Sequence, residues 1–257
     1  RVLTYHRFAR VPQDPFALPP EAFDAQMRWL ADERRAVGLD DLDAFLRGDR
    51  EPADGSVLVT IDDGCRSTHR EALPVLSRHG VPAVVFVTTS LVGRSAEETS
   101  QPEPYMGWAE LAELEAAGLA IGSHAHTHRP LTGRPAAEAR EEAHRSRALL
   151  AERLAGPVRA FAYPFGTRSD YDEETRAALA EAGYGLGFTS QHGAVRTGAD
   201  PLELPRIKVE SGEGMARFRW LCRGGMDAWR FVDASLFRLQ RQRVEQAAPP
   251  AEDPRRS

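Results

Sequence analysis

The sequence predicts an α/β fold in which seven strands alternate with helices and form a parallel sheet that closes into a barrel. One observation is the length, because 257 residues suit a single α/β barrel. Another is a series of short apolar runs rich in β-branched residues, which are typical of buried strands. The third is that stretches with helical periodicity separate most of these runs, as expected for a parallel sheet covered by helices.

The predicted strands are short, and four of them lead directly into a histidine, an aspartate or a proline. A hydrophobic content of 42% is sufficient for the core that such strands require. The strands are expected at residues 1–6, 57–61, 82–88, 119–123, 159–163, 184–189 and 204–209.

The helices are predicted from apolar spacing and from the residues that begin or end them. The first begins at Glu21, because Phe23, Met27 and Leu30 follow the spacing of one helix face. Ser67 is expected to cap the helix after the second strand, and Pro74 to kink it. Further helices are expected at 40–46, 108–117, 135–154 and 173–182, and loops at 12–20 and 94–105.

The pattern changes after Gly212, which gives three predicted regions. Residues 1–212 form the barrel domain. Residues 213–246, rich in aromatic and basic side chains, are predicted to form a helical extension that packs on the barrel, in preference to a membrane or partner surface. Residues 247–257 are rich in proline and charge and are predicted to be disordered.

Composition argues against several classes of function. The net charge of −5 and the lack of a basic stripe argue against nucleic-acid binding, and no apolar run is long enough for a transmembrane segment. Cys65 and Cys222 make no disulfide framework, and Cys65 is expected to be a core residue. Strand-like residues begin at Val2, so we expect a cytoplasmic protein if the chain is complete and an extracytoplasmic one if a leader was removed.

Two adjacent carboxylates, Asp62 and Asp63, follow the second predicted strand and precede Gly64. Chemistry in α/β folds is concentrated at such strand ends. Neighbouring like charges are costly near a core, and a bound cation would relieve that cost. The alternative for this motif alone is a turn in which an aspartate caps a helix.

Three histidines follow the strand predicted at 119–123. One helical turn would direct His124 and His128, spaced i, i+4, at a common point, and His126 would then point elsewhere. Together with one carboxylate of the acid pair they form the two-histidine, one-carboxylate set of catalytic zinc sites, with a position open for water. The other carboxylate would be free to accept the proton of that water.

Three sequence blocks occur in a fixed order. They are the strand followed by Asp-Asp-Gly, the histidine block, and the block Phe-Ala-Tyr-Pro-Phe-Gly at 161–166. In this order they resemble the polysaccharide deacetylases of the NodB-homology type, carbohydrate esterase family 4. The resemblance covers residues 2 to 209 and implies a distorted (β/α)7 barrel. The Tyr5-His6 opening and the ending around Arg206 are similar to the subgroup that contains poly-N-acetylglucosamine deacetylases.

The resemblance also implies roles for individual residues. Asp62 matches the general base, and Asp63, His124 and His128 match the metal ligands. Pro164 and Phe165 belong to the turn that lines the substrate groove, and the amide N–H of Phe165 would hold the oxyanion. Aromatic side chains near the groove that could stack on sugar rings are Tyr5, Trp108 and Tyr163.

Two departures from the commoner family pattern affect these roles. Ala162 stands where an arginine usually orients the base, and Arg206 is our replacement for it. The late catalytic histidine is also missing, so His6 becomes the general acid by resemblance to the subgroup, with His192 as the rival.

The sequence therefore predicts a metal-dependent N-deacetylase that acts on an N-acetylated sugar or polysaccharide and releases acetate. The metal is expected to be zinc, with cobalt or nickel as alternatives. Two other hypotheses remain open at this stage. One is a deacetylase or deformylase of a lipid- or nucleotide-linked sugar or a non-sugar amide, and the other is a glycan-binding barrel without catalysis.

Overall fold

A computed structural model describes residues 1–99 and 101–229. Its main sheet contains seven parallel strands in the order β8-β7-β6-β5-β4-β1-β9. These are β1 Val2–Tyr5, β4 Leu58–Ile61, β5 Ala83–Val87, β6 Ala120–Ser123, β7 Ala160–Ala162, β8 Leu186–Phe188 and β9 Ile207–Lys208. The predicted seven-stranded α/β fold is confirmed.

The sheet curls until its two edges approach each other. Leu204, just before β9, forms an isolated parallel bridge with Phe188 of β8, while β9 itself pairs with β1. The short segment 204–208 thus contacts β8 at its start and β1 at its end, so the barrel is closed but distorted at this point.

Helices surround the sheet as α1 Pro20–Asp32, α2 Leu39–Leu46, α3 Leu73–His79, α4 Ala96–Thr99, α5 Trp108–Ala116, α6 Ala136–Arg153, α7 Glu173–Ala182 and α8 Met215–Cys222. In α8, Phe218 packs edge-on against Trp29 of α1, with ring centres 5.7 Å apart. No helix in the described ranges combines the length and apolarity needed to cross a membrane. Residues 230–246 of the predicted extension and the predicted tail 247–257 lie outside the described residues.

The sequence patterns missed several local features. The stretch 12–20 contains β3 Ala17–Leu18, which pairs with β2 Arg7–Phe8, and the stretch 94–105 contains α4. Ser67 caps no helix, because its hydroxyl accepts a hydrogen bond from the Phe8 amide and donates one to Glu103. A π-helical turn, Thr68–Ala72, precedes α3, so Pro74 lies in the first turn of an α-helix, where it is tolerated.

Alternation along the strands separates two cores and determines where the acid pair lies. Leu58 packs in a cluster inside the barrel, whereas Val59 and Ile61 belong to the larger core between sheet and helices. Continuing that alternation, Thr60 and then Asp62 face the mouth of the barrel. Because Tyr5 is in register with Ile61, the residues that follow them, His6 and Asp62, emerge side by side.

Candidate metal centre and catalytic cleft

A cavity of about 710 Å³ opens at the carboxyl ends of the strands. This volume lies in the range of small-ligand sites, roughly 300–1,000 Å³. It is lined by the residues that the sequence singled out, His6, Asp62, Asp63, His124, His128 and Phe165. The closed sheet has therefore brought together side chains from four separate strand ends.

Asp63, His124 and His128 form a compact group of potential metal ligands. One carboxylate oxygen of Asp63, Oδ1, lies 3.5 Å from Nε2 of His124 and 3.4 Å from Nε2 of His128. Ligand atoms about 2.1 Å from one ion at tetrahedral angles would lie about 3.4 Å apart. The two distances from Asp63 thus match the donor spacing of a tetrahedral site, and all three residues line the cavity.

The tautomer of His124 also suits a metal ligand. Its Nδ1 lies 2.8 Å from the carbonyl oxygen of Ala162, so that Nδ1–H donates and the lone pair of Nε2 is available. Burial lowers the pKa of His124 to about 4, which keeps the imidazole neutral near pH 7. The pKa of Asp63 is well below its usual range because His128, His6 and His124 outweigh the effect of burial.

His124 and His128 are directed by a loop and not by the helical turn that their spacing suggested. Ala125 and His128 both have left-handed backbone conformations, with φ of 62° and 57°. The carboxylate of Glu142 on α6 accepts hydrogen bonds from the amides of His126 and Thr127 and from the Thr127 hydroxyl, at 2.6–2.8 Å. The prediction of a helical turn was therefore wrong, although both side chains reach the same point.

Left-handed backbone is concentrated at this site. In the described ranges six non-glycine residues have positive φ. Besides Ala125 and His128, they include Asp63 at 74° and Phe165 at 61°, which also belong to the site. Such conformations are costly for side chains with a Cβ and persist only where the surrounding structure enforces them. The fold thus maintains strain at three of the predicted functional positions, Asp63, His128 and Phe165.

Asp62 and Arg206 form a buried ion pair beside the ligand group. Two guanidinium nitrogens donate to the two carboxylate oxygens at 2.7 and 2.8 Å, and the side chains are 4% and 3% exposed. Arg206 also donates to the Thr189 carbonyl at 2.9 Å and to the Thr60 hydroxyl at 3.2 Å. Burial alone would raise the pKa of Asp62, but Arg206 and His124 hold it below its usual value. Arg206 therefore contacts Asp62 directly, in the position required to orient its carboxylate.

His6 and the rival histidine, His192, both line the cavity. His6 is half-buried beneath Phe16, with ring centres 4.8 Å apart. Burial lowers the pKa of His6, and Asp63 and Asp62 oppose that effect only in part. The charges of these two aspartates raise the pKa of His6 because His6 follows β1, which lies next to β4, the strand that they follow.

The turn after β7 supplies one rim of the cavity. Phe165 is 56% exposed and packs edge-on against His128, with ring centres 5.0 Å apart. Its amide N–H has no hydrogen-bond partner in the described part of the chain, while its carbonyl accepts a bond from the Ser190 hydroxyl. The N–H is therefore available to a ligand.

Other aromatic side chains do not have the positions that the sequence analysis assigned to them. Tyr163 is fully buried, stacks on Tyr171 and donates to the Leu202 carbonyl, so its ring supports the rim and cannot stack on a sugar. Tyr5 is in the core and donates to Gln26, and Trp108 lies away from the cavity against Arg153. Pro164 is also buried and only shapes the turn.

Several residues that support or line the site were not predicted from the sequence. These are Glu142, Thr60, Phe16 and Lys208. A glutamate in a charged helix or a threonine in a strand resembles many others, and only its contacts distinguish it.

Comparisons with known proteins agree with this geometry. A family model described as polysaccharide deacetylase matches residues 49–187. YxkH of Bacillus subtilis is 27% identical over 84% of this chain and 74% of its own length. The poly-β-1,6-N-acetyl-D-glucosamine N-deacetylase of Staphylococcus epidermidis is 26% identical over 76% of this chain and 69% of its own length. The solved structure of IcaB from Ammonifex degensii superposes with a TM-score of 0.74 at 28% identity, covering 86% of this chain and 94% of that one.

Proposed function

The chain belongs to the polysaccharide deacetylase family, whose members are carbohydrate N-deacetylases, and we propose that it hydrolyses the acetamide of N-acetylglucosamine residues in a glycan. One observation carries the proposal. The ligand group Asp63, His124 and His128 lies next to a buried, arginine-paired carboxylate in a cavity large enough for a sugar. The name of the S. epidermidis relative supports N-acetylglucosamine as the substrate.

Asp63, His124 and His128 would hold a divalent metal, for which the donor set favours zinc and also suits cobalt or nickel. When bound, such an ion supplies a water of lowered pKa and polarises a carbonyl group. The described side chains account for the remaining steps.

Asp62 acts as the general base. Its carboxylate stays ionised because Arg206 pairs with it, and the same two hydrogen bonds fix its orientation. It accepts the proton of the attacking water while the oxygen of that water bonds to the acetamide carbon. Arg206 is a positioning residue, since it acts through Asp62.

Phe165 and His6 complete the reaction. The free N–H of Phe165 donates to the oxygen that becomes negative, an interaction worth on the order of 3 kcal/mol in acyl-transfer sites. His6 in its protonated form gives a proton to the nitrogen as the C–N bond breaks, and the products are acetate and an amino sugar.

Acetate release from N-acetylglucosamine oligomers tests the proposal. The wild type should release acetate, a chelator should abolish release, and added zinc should restore it. Asp62→Asn should retain the metal but lose activity, whereas Asp63→Ala and His128→Ala should lose the metal. Asp49→Asn, an exposed carboxylate paired with Arg47, is the matched control and should behave as the wild type.

Two results would contradict the assignment. Oligomer binding without acetate release by metal-loaded protein would favour a glycan-binding barrel, and release only from lipid- or nucleotide-linked sugars would favour the precursor hypothesis. For the acid, His6→Ala should slow turnover at least 100-fold, in the range of general acid catalysis. An unchanged rate would transfer this role to His192.

A further inference from the structure

Lys208 is the only lysine among the 33 lysine and arginine residues of the chain, and it lines the cavity. It ends β9, where it is in register with Thr4 of β1, two residues before His6. A compact ammonium differs from a guanidinium in geometry and hydration, so a single lysine at the cleft is a chemically distinct donor.

Phe16 connects Lys208 to His6. The Lys208 ammonium lies 4.7 Å from the centre of the Phe16 ring, and that ring is 4.8 Å from the His6 ring. The ammonium is therefore within about 10 Å of His6, the largest separation that these two contacts allow. Lys208 is thus close to the side of the cleft where the amine is released.

Local bonds fix Phe16 in this position. Its amide donates to Asp14 at 2.9 Å, its carbonyl accepts from the Arg7 amide at 3.2 Å, and Arg7 and Asp14 form an ion pair. The Phe16 side chain nevertheless remains 41% exposed. An exposed aromatic ring that is anchored by its backbone is suited to stacking on a sugar ring.

Lys208 differs from the cavity's arginines because it has no carboxylate partner among the residues that the structure describes. Arginines 7, 168, 206 and 217 pair with Asp14, Glu203, Asp62 and Glu213 respectively. Lys208 forms no ion pair with any residue in the ranges 1–99 and 101–229, including Glu210 at the cavity rim. Its positive charge therefore lies in the cavity wall over the Phe16 ring, without a paired carboxylate among the described residues.

We propose that Phe16 and Lys208 form a sugar subsite on the His6 side of the cleft that accepts N-acetylated residues and disfavours residues with a free amine. The inference deepens the proposed function and rests on it. An acetamide is neutral and can stack on Phe16 while the Lys208 ammonium donates to its oxygen or to a hydroxyl group. A free amine takes up a proton near neutral pH, and its charge would then be repelled by Lys208.

The proposed subsite predicts selectivity between two defined substrates, an N-acetylglucosamine pentamer and the same pentamer with one internal glucosamine. The wild type should prefer the fully acetylated pentamer in kcat/KM by about tenfold, the effect of one like charge in a cleft open to solvent. Lys208→Met should reduce the preference to less than about twofold, whereas Lys208→Arg should retain it. Phe16→Ala should raise KM for both pentamers, and Val11→Ala, which removes an equally exposed side chain outside the cavity, should not.

A binding measurement separates this inference from the activity. Reductive methylation with ¹³C-formaldehyde labels Lys208, the single lysine, together with the N-terminal amine, and both groups keep their charge. The Lys208 methyl signal of metal-free protein should shift with the acetylated pentamer and shift much less with a glucosamine pentamer. Equal shifts, or an unchanged preference in Lys208→Met, would overturn the subsite. Selective shifts in a protein that releases no acetate would support the subsite and contradict the proposed function.

Discussion

Replacing Arg206 by methionine should leave the Asp62 carboxylate buried without its counter-charge. Both side chains of the wild-type pair are less than 5% exposed, and the two hydrogen bonds between them are 2.7 and 2.8 Å long. Methionine fills much of the arginine volume but donates no hydrogen bond. The substitution therefore removes the charge and the donors with little change in packing.

The expected cost is about 3–5 kcal/mol of unfolding free energy, the range for removing one partner of a buried ion pair. A typical domain has only about 5–15 kcal/mol in total. Arg206→Met/Asp62→Asn should recover part of the loss, because the remaining amide carries no charge. The exposed pair of Arg47 and Asp43 provides the control, since Arg47→Met should cost less than about 1 kcal/mol.

Denaturation in urea, with chelator present, measures these differences. In the wild type Arg206 keeps the pKa of Asp62 low, so this stability is present above the unfolded pKa, about 3.9, and is lost as the pH falls through the folded pKa. In Arg206→Met only His124 and His6 still oppose the effect of burial, so the pKa of Asp62 rises. The folded variant then binds the extra proton, so its deficit should shrink between pH 7 and pH 5. A deficit below 1 kcal/mol, or a double variant less stable than Arg206→Met, would refute the reasoning.

Two further predictions concern the ligand loop. In metal-free protein the pKa of His124 is about 4, below the unfolded value of 6.5, so its contribution of up to roughly 3 kcal/mol is fully present above pH 6.5 and is lost as the pH falls towards 4. The unfolding free energy of His124→Asn should therefore fall less steeply with decreasing pH, and parallel curves would contradict this. Glu142→Gln should weaken zinc binding by about 10- to 100-fold, because the carboxylate holds the loop through Thr127 and the amide of His126. Competition titration with a chelating dye measures this, Glu141→Gln on the exposed side of the same helix is the control, and equal affinities would show that the loop holds its shape without Glu142.

The sequence predicted the features that depend on residues close together in the chain. Apolar runs located the seven strands, because burial on both faces requires such runs. The acid pair and the histidine block identified the potential ligands, since both follow strands directly. Motif order then indicated the family, which the match over residues 49–187 shows.

Local pattern was less reliable where several backbone paths satisfy the same spacing. The i, i+4 spacing of His124 and His128 suggested a helical turn, but two left-handed residues and the Glu142 carboxylate produce the convergence. Tyr163 followed a strand next to the site, but the tertiary packing buried it against Tyr171. Spacing limits which side chains can meet, whereas backbone conformation decides which ones do.

What the sequence by itself determined was the position of the strands along the chain and the identity of the potential ligands, because both follow from local hydrophobicity and from adjacent motifs. The sequence suggested Arg206 as the residue that orients Asp62, but only the tertiary structure showed the buried ion pair between these side chains, 144 residues apart. Only the tertiary structure also showed that Phe16 joins Lys208 to His6. The physical reason is barrel closure. The register between β1, β4 and β9 sets which strand ends are neighbours, and no local pattern of residues encodes the register between strands so distant in the chain.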